Sequence, residues 1–392
     1  MLNTVYAVGS TGKIVKQIAD KALYKGYECM VAHRFEIGNI DYPPYACAVS
    51  SWLDCHIHNR INRLTMLRGC FSKFKTFRFL KKVRKFNPDL IHLHNIHGNF
   101  INLSMLFRFI KKQNIKVVWT LHDCWPLTGN CKYFDMVNCS KWQYGCGNCP
   151  QKKQALIDIS SYMLKRKKKM LSGISDMTIV TPSQWLADLV KISYLQDYPV
   201  KVINNGIDLS VFKPTESNFK VNYNLTDKKI VLGVAFEWEK RKGLDVFIEL
   251  SKRLSDDYRI VLVGTDEKVD EMLPEKFVSI HKTNNQQELA AVYSAADVFV
   301  NPTREENYPT VNMESLACGT PVVTFDTGGS GEIIDDSCGF VVKKNDIDTL
   351  TSKIIEVCEK GVFSVDACLK KAESHNKNHR FDEYISLYED LE

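Results

Sequence analysis

The sequence of 392 residues lacks any apolar run that approaches the roughly 18 to 20 residues needed to cross a bilayer. Residues 1–30 also lack the continuous apolar core of a secretory signal peptide. Without such a signal, the 13 cysteines are expected to be reduced thiols. These absences predict a cytoplasmic protein whose contact with the inner membrane face, if any, is peripheral.

Three classes of motif are missing as well. There is no internal repeat of about 20 to 50 residues, which excludes solenoids and propellers. The turn before Lys13 is not a Walker loop, because Ala7 stands at the first required glycine and Ile14 at the required Ser or Thr. No nucleic-acid-binding motif accompanies the basic residues, so a nucleic-acid partner is not predicted.

Acidic residues are scarce in the first half of the chain. Residues 1–200 hold 29 Lys and Arg against 12 Asp and Glu, a net charge of +17, whereas residues 201–392 carry a net charge of −11. The basic clusters at 73–85 and 165–169 are interleaved with apolar side chains on expected helices. They favour an anionic membrane surface or a phospholipid-linked substrate over plain solvated helix faces.

Short apolar strands alternate with helices along the whole chain, which indicates α/β architecture with parallel sheets. The pattern restarts near residue 228, so two doubly wound, Rossmann-like domains facing across a cleft are expected. We place the N-terminal domain at 1–205, with a cysteine-rich loop at 124–150, and the C-terminal domain at 206–375. Residues 376–392 are expected to form a helix that packs back on the N-terminal domain. Only residues 1–6 precede the first turn, so its strand is expected to be short.

Chemistry-bearing residues follow several strand ends, where open α/β sheets bind their ligands. In the first domain these are the turn Gly9-Ser10-Thr11-Gly12 and His122, which precedes Asp123. A metal held by His94, His97 and His122 is an alternative without an obvious carboxylate set.

The second domain offers cations and carboxylates at such positions. Arg241 and Lys242 follow its first strand and could hold a diphosphate. Glu306 and Glu314 flank a loop and a short helix, and their carboxylates suit sugar or ribose hydroxyls.

Four cysteines cluster in the loop of the first domain: Cys131, Cys139, Cys146 and Cys149. The CxxC spacing of Cys146 and Cys149 fits a corner of a tetrahedral structural zinc site. Buried free thiols and a redox-labile pair are the alternatives.

Taken together, several motifs resemble glycosyltransferase family four, a retaining family with the two-domain GT-B fold. They are GSTGKIV at 9–15, NNGIDLSVFKP at 204–214, Lys242-Gly243, Glu306-x7-Glu314 with ACGTPVV at 317–323, and Gly328-Gly329 with Glu332-Ile333-Ile334. The segment His122-Asp123-Cys124-Trp125-Pro126 with its cysteine loop resembles the bacterial subgroup that builds surface polysaccharides, including colanic-acid-type and capsular enzymes.

The resemblance implies transfer of a sugar from a nucleotide-diphosphate donor to a saccharide or lipid-linked saccharide acceptor, with retention and without a catalytic metal. Under it, Glu314 binds the ribose and Glu306 faces the transferred sugar. Arg241 and Lys242 neutralise the leaving diphosphate.

Other roles follow from the same resemblance. The backbone at Asn307 and Tyr308 supports sugar and β-phosphate, His122 contacts the donor sugar, and the loop from Gly9 to Gly12 approaches donor phosphate and acceptor. The family's usual Glu-Gly-Phe-Gly is Glu-Asn-Tyr-Pro here, which restricts the backbone at Pro309. Alternatives are a nucleotide-sugar epimerase or sugar phosphorylase of the same fold, or a non-catalytic sugar-binding protein.

Overall fold

The structure, a computed structural model, describes residues 1–38, 40–152 and 154–391. It divides into two compact units. The first unit comprises Met1–Asn204 and Phe381–Glu392, and the second comprises Asn205–Arg380.

Strands and short loops alternate with helices in both units. Among the described residues the strands are β1 Val31–His33, β2 Ala46–Ala48, β3 Leu90–Leu93, β4 Lys116–Thr120, β5 Met177–Thr181, β6 Val200–Val202, β7 Lys229–Val234, β8 Tyr258–Val263, β9 Phe277–Ile280, β10 Val298–Asn301, β11 Val322–Phe325 and β12 Gly339–Val342. The helices are α1 Gly9–Tyr24, α2 Trp52–Thr65, α3 Lys73–Phe86, α4 Leu103–Gln113, α5 Ser160–Leu171, α6 Gln184–Lys191, α7 Phe219–Asn222, α8 Leu244–Arg253, α9 Glu267–Asp270, α10 Gln286–Ala295, α11 Thr310–Ala317, α12 Ile347–Lys360, α13 Val365–Glu373 and α14 Lys377–Leu391. Within these residues, no helix combines the length and apolar character that crossing a membrane requires.

The first unit is built on parallel strands. β1 pairs with β2, and β3, β4, β5 and β6 pair in that order. Leu2 joins the two groups through parallel bridges to Ala32 and Leu93. The short first strand expected from the sequence is therefore present as a bridge rather than a full strand, and the order β2-β1-Leu2-β3-β4-β5-β6 is that of a doubly wound sheet.

The second unit contains a six-stranded sheet in the order β12-β11-β10-β7-β8-β9, with every pair parallel. Its central strands are almost wholly buried, as expected for a sheet covered by helices on both faces. The order reverses between β7 and β10. Ligands of such sheets bind beside the carboxyl ends of the strands at this reversal.

Helix α14 closes the first unit from residue 381 onward. Phe381, Tyr384, Ile385 and Tyr388 lie in one apolar cluster with residues of α1, β4, β5 and Ile203. His92 Nδ1 also lies 2.6 Å from the Tyr388 hydroxyl. The last turns of the chain thus complete the core of the unit that contains the first residues.

The structure differs from the expectations from the sequence at three places. The glycine turn at 9–12, expected to precede a helix from Lys13 to Lys25, is the first turn of α1, which begins at Gly9. Strand β2 and helix α2 were not predicted. Lys167, in the basic cluster 165–169 that was expected to face an anionic surface, is buried inside the first unit.

Candidate functional site

In the second unit, Lys242 and Glu306 form an ion pair beside the sheet reversal. Lys242 ends a short 3-10 turn that follows β7, and Glu306 lies in the loop that follows β10. Lys242 Nζ lies 2.6 Å from Glu306 Oε2, and the two side chains are 22% and 17% exposed. The structure therefore brings together two of the site residues predicted from the sequence.

The carboxylate of Glu306 is held ionised. Burial works to raise its pKa, but the charge of Lys242, its hydrogen bond and the N–H of Asn307 together lower the pKa below the ordinary value. Arg241 adds a smaller contribution of the same sign. The loop thus offers a fixed negative charge between cations.

Arg304 is a residue of this site that sequence reasoning missed. Its guanidinium binds both carboxylate oxygens of Asp245, at 2.7 and 3.0 Å, and donates to the Lys240 carbonyl and to Asn345. Its N–H donates to the Arg241 carbonyl at 2.8 Å. Arg304 therefore fixes the cationic turn, residues 240–242, against the loop that carries Glu306. Its place two residues before Glu306 was the available signal.

Close backbone packing holds the Glu306 loop from the other side. Gly328 has φ +57°, and a Cβ at this position would lie 1.8 Å from the Glu306 carbonyl oxygen. Gly329 N–H donates to the Asn307 carbonyl at 2.7 Å. The glycine pair predicted from the sequence is thus a support for the loop, and only glycine fits at its first position.

Glu314 and Pro309 lie at the helix that follows the loop. Pro309, with φ −73° and extended ψ, precedes the first residue of α11, where the fixed φ and missing N–H of proline cost nothing. Glu314 lies within α11, half-buried, and accepts a hydrogen bond from the Tyr293 hydroxyl at 3.3 Å. The proline that the sequence left unexplained therefore marks the start of the helix carrying this glutamate.

Asn307 and Tyr308 are buried, and both form hydrogen bonds within the second unit. The Asn307 N–H donates to the Glu306 side chain, and its carbonyl accepts from Gly329. The Tyr308 carbonyl accepts from Asn205 at 3.1 Å, and its hydroxyl lies 3.0 Å from His375 Nε2. The Tyr308 side chain thus serves the core of the unit.

In the first unit, the half-buried His122 lies beside the buried His92, His94 and His97 at the ends of β3 and β4. His94 Nδ1 lies 3.1 Å from His122 Nε2. Burial lowers the pKa of His122 to about 4, against the opposing charge of Asp123. His122 is therefore neutral near pH 7 and can exchange hydrogen bonds without carrying charge.

Asp123 is hydrogen-bonded to residues around the same histidines. Burial alone would raise its pKa, but His97, Lys132 and the Trp125 N–H lower the pKa to about 2. Its Oδ2 lies 3.2 Å from His97 Nε2, and its Oδ1 accepts from Trp125 N–H at 2.9 Å. The His-Asp dipeptide is thus not a shared-proton pair, because Asp123 bonds His97.

Gly9 and Gly12 lie in the first turn of α1. Gly9 is exposed with φ +61°, and Gly12 is buried against residues 5–7, with its carbonyl accepting from Ala7 N–H. No side chain caps this helix start. Gly9 and Ser10 are both exposed, so a ligand can approach the segment there but not at the buried Gly12.

The four loop cysteines are free thiols in this structure. Burial raises the pKa of Cys131 to about 11 and raises those of Cys146 and Cys149. In the described ranges, no group of three or more His, Cys, Asp or Glu residues is arranged to hold a metal ion. Zinc at the cysteines stays a prediction, which the zinc content of the purified protein tests.

Comparisons with known proteins bear on the family and the fold of the chain. The family model described as "Glycosyltransferase Family 4" matches residues 12–211, and the model "Glycosyl transferases group 1" matches residues 215–382. An Escherichia coli K12 relative, WcaC, whose name assigns it to colanic acid biosynthesis as a glycosyl transferase, is 23% identical over 338 residues, 83% of this chain and 82% of the relative.

A second relative and a solved structure extend the comparison. The N,N'-diacetylbacillosaminyl-diphospho-undecaprenol alpha-1,3-N-acetylgalactosaminyltransferase of Campylobacter jejuni is 27% identical over 218 residues, 52% of this chain and 57% of the relative. The structure of Anabaena HepE in complex with UDP aligns with a TM-score of 0.68 at 14% identity, over 99% of each chain.

The family models follow one another along the chain much as the two structural units do, and the fold is that of GT-B enzymes. The cationic turn and the Glu306 loop lie in the part matched by the second model. This chain belongs to glycosyltransferase family 4 and is a glycosyltransferase.

Proposed function

We propose that the protein is a retaining glycosyltransferase that moves a hexose from a nucleotide-diphosphate sugar to a lipid-linked saccharide during assembly of a surface polysaccharide such as a capsule or lipopolysaccharide. The observation that carries this proposal is the Lys242–Glu306 pair beside the sheet reversal of the second unit. One relative is named for transfer to a diphospho-undecaprenol, which supports the acceptor class. One similar structure holds UDP, which supports the donor class.

In the proposed reaction, the bond between the anomeric carbon and the β-phosphate oxygen breaks as the acceptor hydroxyl bonds to that carbon on the same face. The acceptor proton passes to the departing phosphate. Lys242 and Arg241 stabilise the charge that develops there, which is the electrostatic help a leaving diphosphate needs. Glu306 accepts hydrogen bonds from the transferred sugar and Glu314 from the ribose, and His122 contacts the sugar as a neutral imidazole.

The test of the donor site uses Lys242→Ala and Glu306→Gln. A thermal-shift panel of UDP-, GDP- and ADP-sugars first identifies the donor, since a bound ligand raises the melting temperature. We expect both variants to lose transfer, measured as nucleoside diphosphate release with acceptor, by at least about 100-fold. Lys240→Ala is the matched control, because its exposed side chain lies in the same turn without a partner in the described residues. Full activity of both variants would overturn the site assignment.

Other activities give other outcomes. Conversion of the nucleotide-sugar without acceptor would identify an epimerase, and a requirement for free phosphate would identify a phosphorylase. No product with any donor and acceptor pair would leave a sugar-binding protein.

We further propose that the first unit binds an anionic membrane face peripherally, in the cytoplasm. Helix α3 exposes Phe74 by 67% and Phe77 by 50%, and Arg78 and Lys81 lie over these two rings. Apolar rings among snorkelling cations are typical of interfacial helices. Each cation near an anionic surface adds about 1 kcal/mol.

Vesicle binding tests the membrane proposal. Sedimentation with phosphatidylglycerol-containing vesicles is expected to fall at least fivefold in Phe74→Ser/Phe77→Ser, and to weaken with salt. Val221→Ser, at an exposed apolar position of the second unit, is the matched control. Equal sedimentation of the α3 variant and the control would contradict the proposal.

A further inference from the structure

A cavity of about 790 Å³ opens at the carboxyl edge of the first unit's sheet. Its walls come from segments that follow successive strands: Thr4 after the Leu2 bridge, Arg34 after β1, Asn95 after β3, and Arg68 and Asn59 from α2 and the residues after it. This is the edge at which doubly wound sheets bind ligands. A second cavity, of about 730 Å³, opens beside the amino ends of β3 and β4, and none of the predicted site residues lines it.

Two arginines of this cavity have no partner in the described part of the chain. Arg34 Nε and Arg68 Nε are buried, and no described residue accepts a hydrogen bond from either atom. Neither guanidinium forms an ion pair with any residue that the structure describes, and the Arg34 guanidinium lies 4.6 Å from the centroid of the Phe35 ring. Both side chains as a whole are half-buried. Because a buried N–H donor without a partner is costly, two such groups in one cavity indicate a site built for a ligand.

The surrounding charges leave the cavity positive. Lys132 also lines it, and Glu36 is the one carboxylate among its described lining residues. Burial lowers the pKa of Arg68, and the nearby charge of Asp123 opposes this shift. The Asp123 oxygens, however, are hydrogen-bonded to His97 and to the Trp125 N–H. Three cations against one exposed carboxylate favour a ligand with more than one negative charge.

We propose that this cavity binds the phosphate or diphosphate group of the acceptor, with Arg34 and Arg68 as its ligands, an inference that rests on the glycosyl transfer proposed above. Arginine forks match the oxygen spacing of phosphates, and a cavity of this volume has room for a sugar beside the anion. Trp52 lines the same cavity and opens α2, whose Leu53, Ile57 and Leu64 are exposed. An apolar helix face beside an anion site suits a phosphate that carries a lipid.

Inorganic pyrophosphate is the probe, measured by calorimetry on the full chain. The measurement uses the Arg241→Gln/Lys242→Ala background, so that the cations of the second unit do not contribute. We expect Arg34→Gln and Arg68→Gln each to weaken pyrophosphate binding about tenfold or more. Arg63→Gln is the control, an exposed arginine of α2 outside the cavity.

Circular dichroism shows whether each variant folds. If Arg68→Gln does not fold, Arg34→Gln alone still tests the proposal. Unchanged pyrophosphate affinity in folded Arg34→Gln, with or without a folded Arg68→Gln, would overturn the proposal. This binding assay needs no sugar transfer, so it separates failure of the anion site from failure of the proposed function.

Two competitors identify the source of the phosphate. Farnesyl diphosphate in detergent micelles represents a lipid diphosphate, and glucose 1-phosphate represents a soluble sugar phosphate. Displacement of pyrophosphate by the first alone assigns a lipid-linked acceptor, and displacement by the second assigns a soluble one. Displacement by neither, despite arginine-dependent pyrophosphate binding, would overturn the assignment to an acceptor.

Discussion

Lys167 shows how the surroundings of a single residue override its ordinary chemistry. Its Nζ lies 3.9 Å from the centroid of the Trp125 ring and donates to the Trp125 carbonyl at 2.5 Å. Burial lowers the pKa of Lys167 to about 7, against the attraction of Cys131. The sequence KRKKK could not reveal this, because a run of like residues on a helix does not show which one faces inward.

This burial predicts a pH dependence of stability. Between the folded pKa near 7 and the unfolded value of about 10.4, the unfolded chain binds one more proton at Lys167. The free energy of unfolding should therefore rise with pH by at most about 1.4 kcal/mol per unit through this residue. Below pH 7 the full cost of burying the charge remains. Lys167→Met should remove the rise, whereas Lys168→Met, at an exposed neighbour, should keep it.

Urea denaturation at pH 7.5 and 9 measures the effect. Five of the six tryptophans belong to the first unit, so fluorescence follows the unit that contains Lys167. The cysteines titrate in both proteins alike, and the difference between wild type and Lys167→Met isolates the lysine. An identical pH dependence in the two would show that Lys167 is charged in the folded state.

At the scale of elements, the apolar pattern and the turn-forming Gly and Pro residues predicted most strands and helices. The apolar pattern predicts helices over residues 160–171 and 286–295 and strands over 177–181 and 298–301, and the structure has the same bounds. Helix α2 was not predicted because its polarity pattern is opposite to that of an ordinary surface helix. It buries Cys55, His58 and Asn62. It exposes Leu53, Ile57 and Leu64. A helix whose buried face is polar gives no core-facing apolar stripe to read.

Part of the candidate site was predictable, because the strands that precede its residues are recognisable from their apolar side chains. Lys242 and Glu306 follow strands, and strand ends can be read from the sequence. Arg304 was not found although it lies two residues before Glu306, because its partner Asp245 is 59 positions away and the sequence does not indicate that the two pair. Contacts between elements distant in sequence are set by tertiary packing alone.

Arg304 therefore provides the prediction at this scale. Arg304→Lys keeps the charge but loses the fork that binds Asp245 while also reaching Lys240 and Asn345. The cationic turn should loosen, so the KM for the donor should rise about tenfold while kcat falls less. Arg253→Lys is the control, since Arg253 lies on the same helix as Asp245 and pairs with Glu249 of that helix and with the exposed Asp348 of α12.

Steady-state kinetics with the donor from the thermal-shift panel decide this point. A rise in KM together with an unchanged melting temperature would place Arg304 as a positioning residue of the turn. Unchanged KM in Arg304→Lys would show that the turn holds its geometry without the fork.

For the whole molecule, the sequence predicted the class of both units because each repeats the same alternation of strand and helix. The second unit begins at Asn205, so the predicted boundary at 205/206 differs from it by one residue, and the restart of the pattern near residue 228 lies 23 positions further on. The other boundary is harder to read, since α14 runs unbroken through residues 377–391 and no turn residue marks the point where the first unit resumes. The predicted boundary at 375/376 coincides instead with the start of this helix.

The discontinuity of the first unit carries a stability prediction. Residues 1–204 alone would expose the surface that Phe381, Tyr384, Ile385, Leu387 and Tyr388 bury. At about 1.5 to 3 kcal/mol for each buried side chain, the loss is as large as the whole stability of an ordinary domain. We therefore expect residues 1–204 to show no cooperative unfolding transition. Joining residues 381–392 to them through a flexible linker of about 15 residues should restore it.

The matched control carries the same linker and helix with Tyr384→Ser and Tyr388→Ser, which removes two of the buried rings and the hydroxyl that meets His92. Circular dichroism and urea titration compare the three proteins. If residues 1–204 unfold cooperatively and with the stability of the linked protein, α14 is an appendage rather than part of the core. If only the intact helix restores the transition, the last turns of the chain are required for the sheet that carries His122 and the anion cavity.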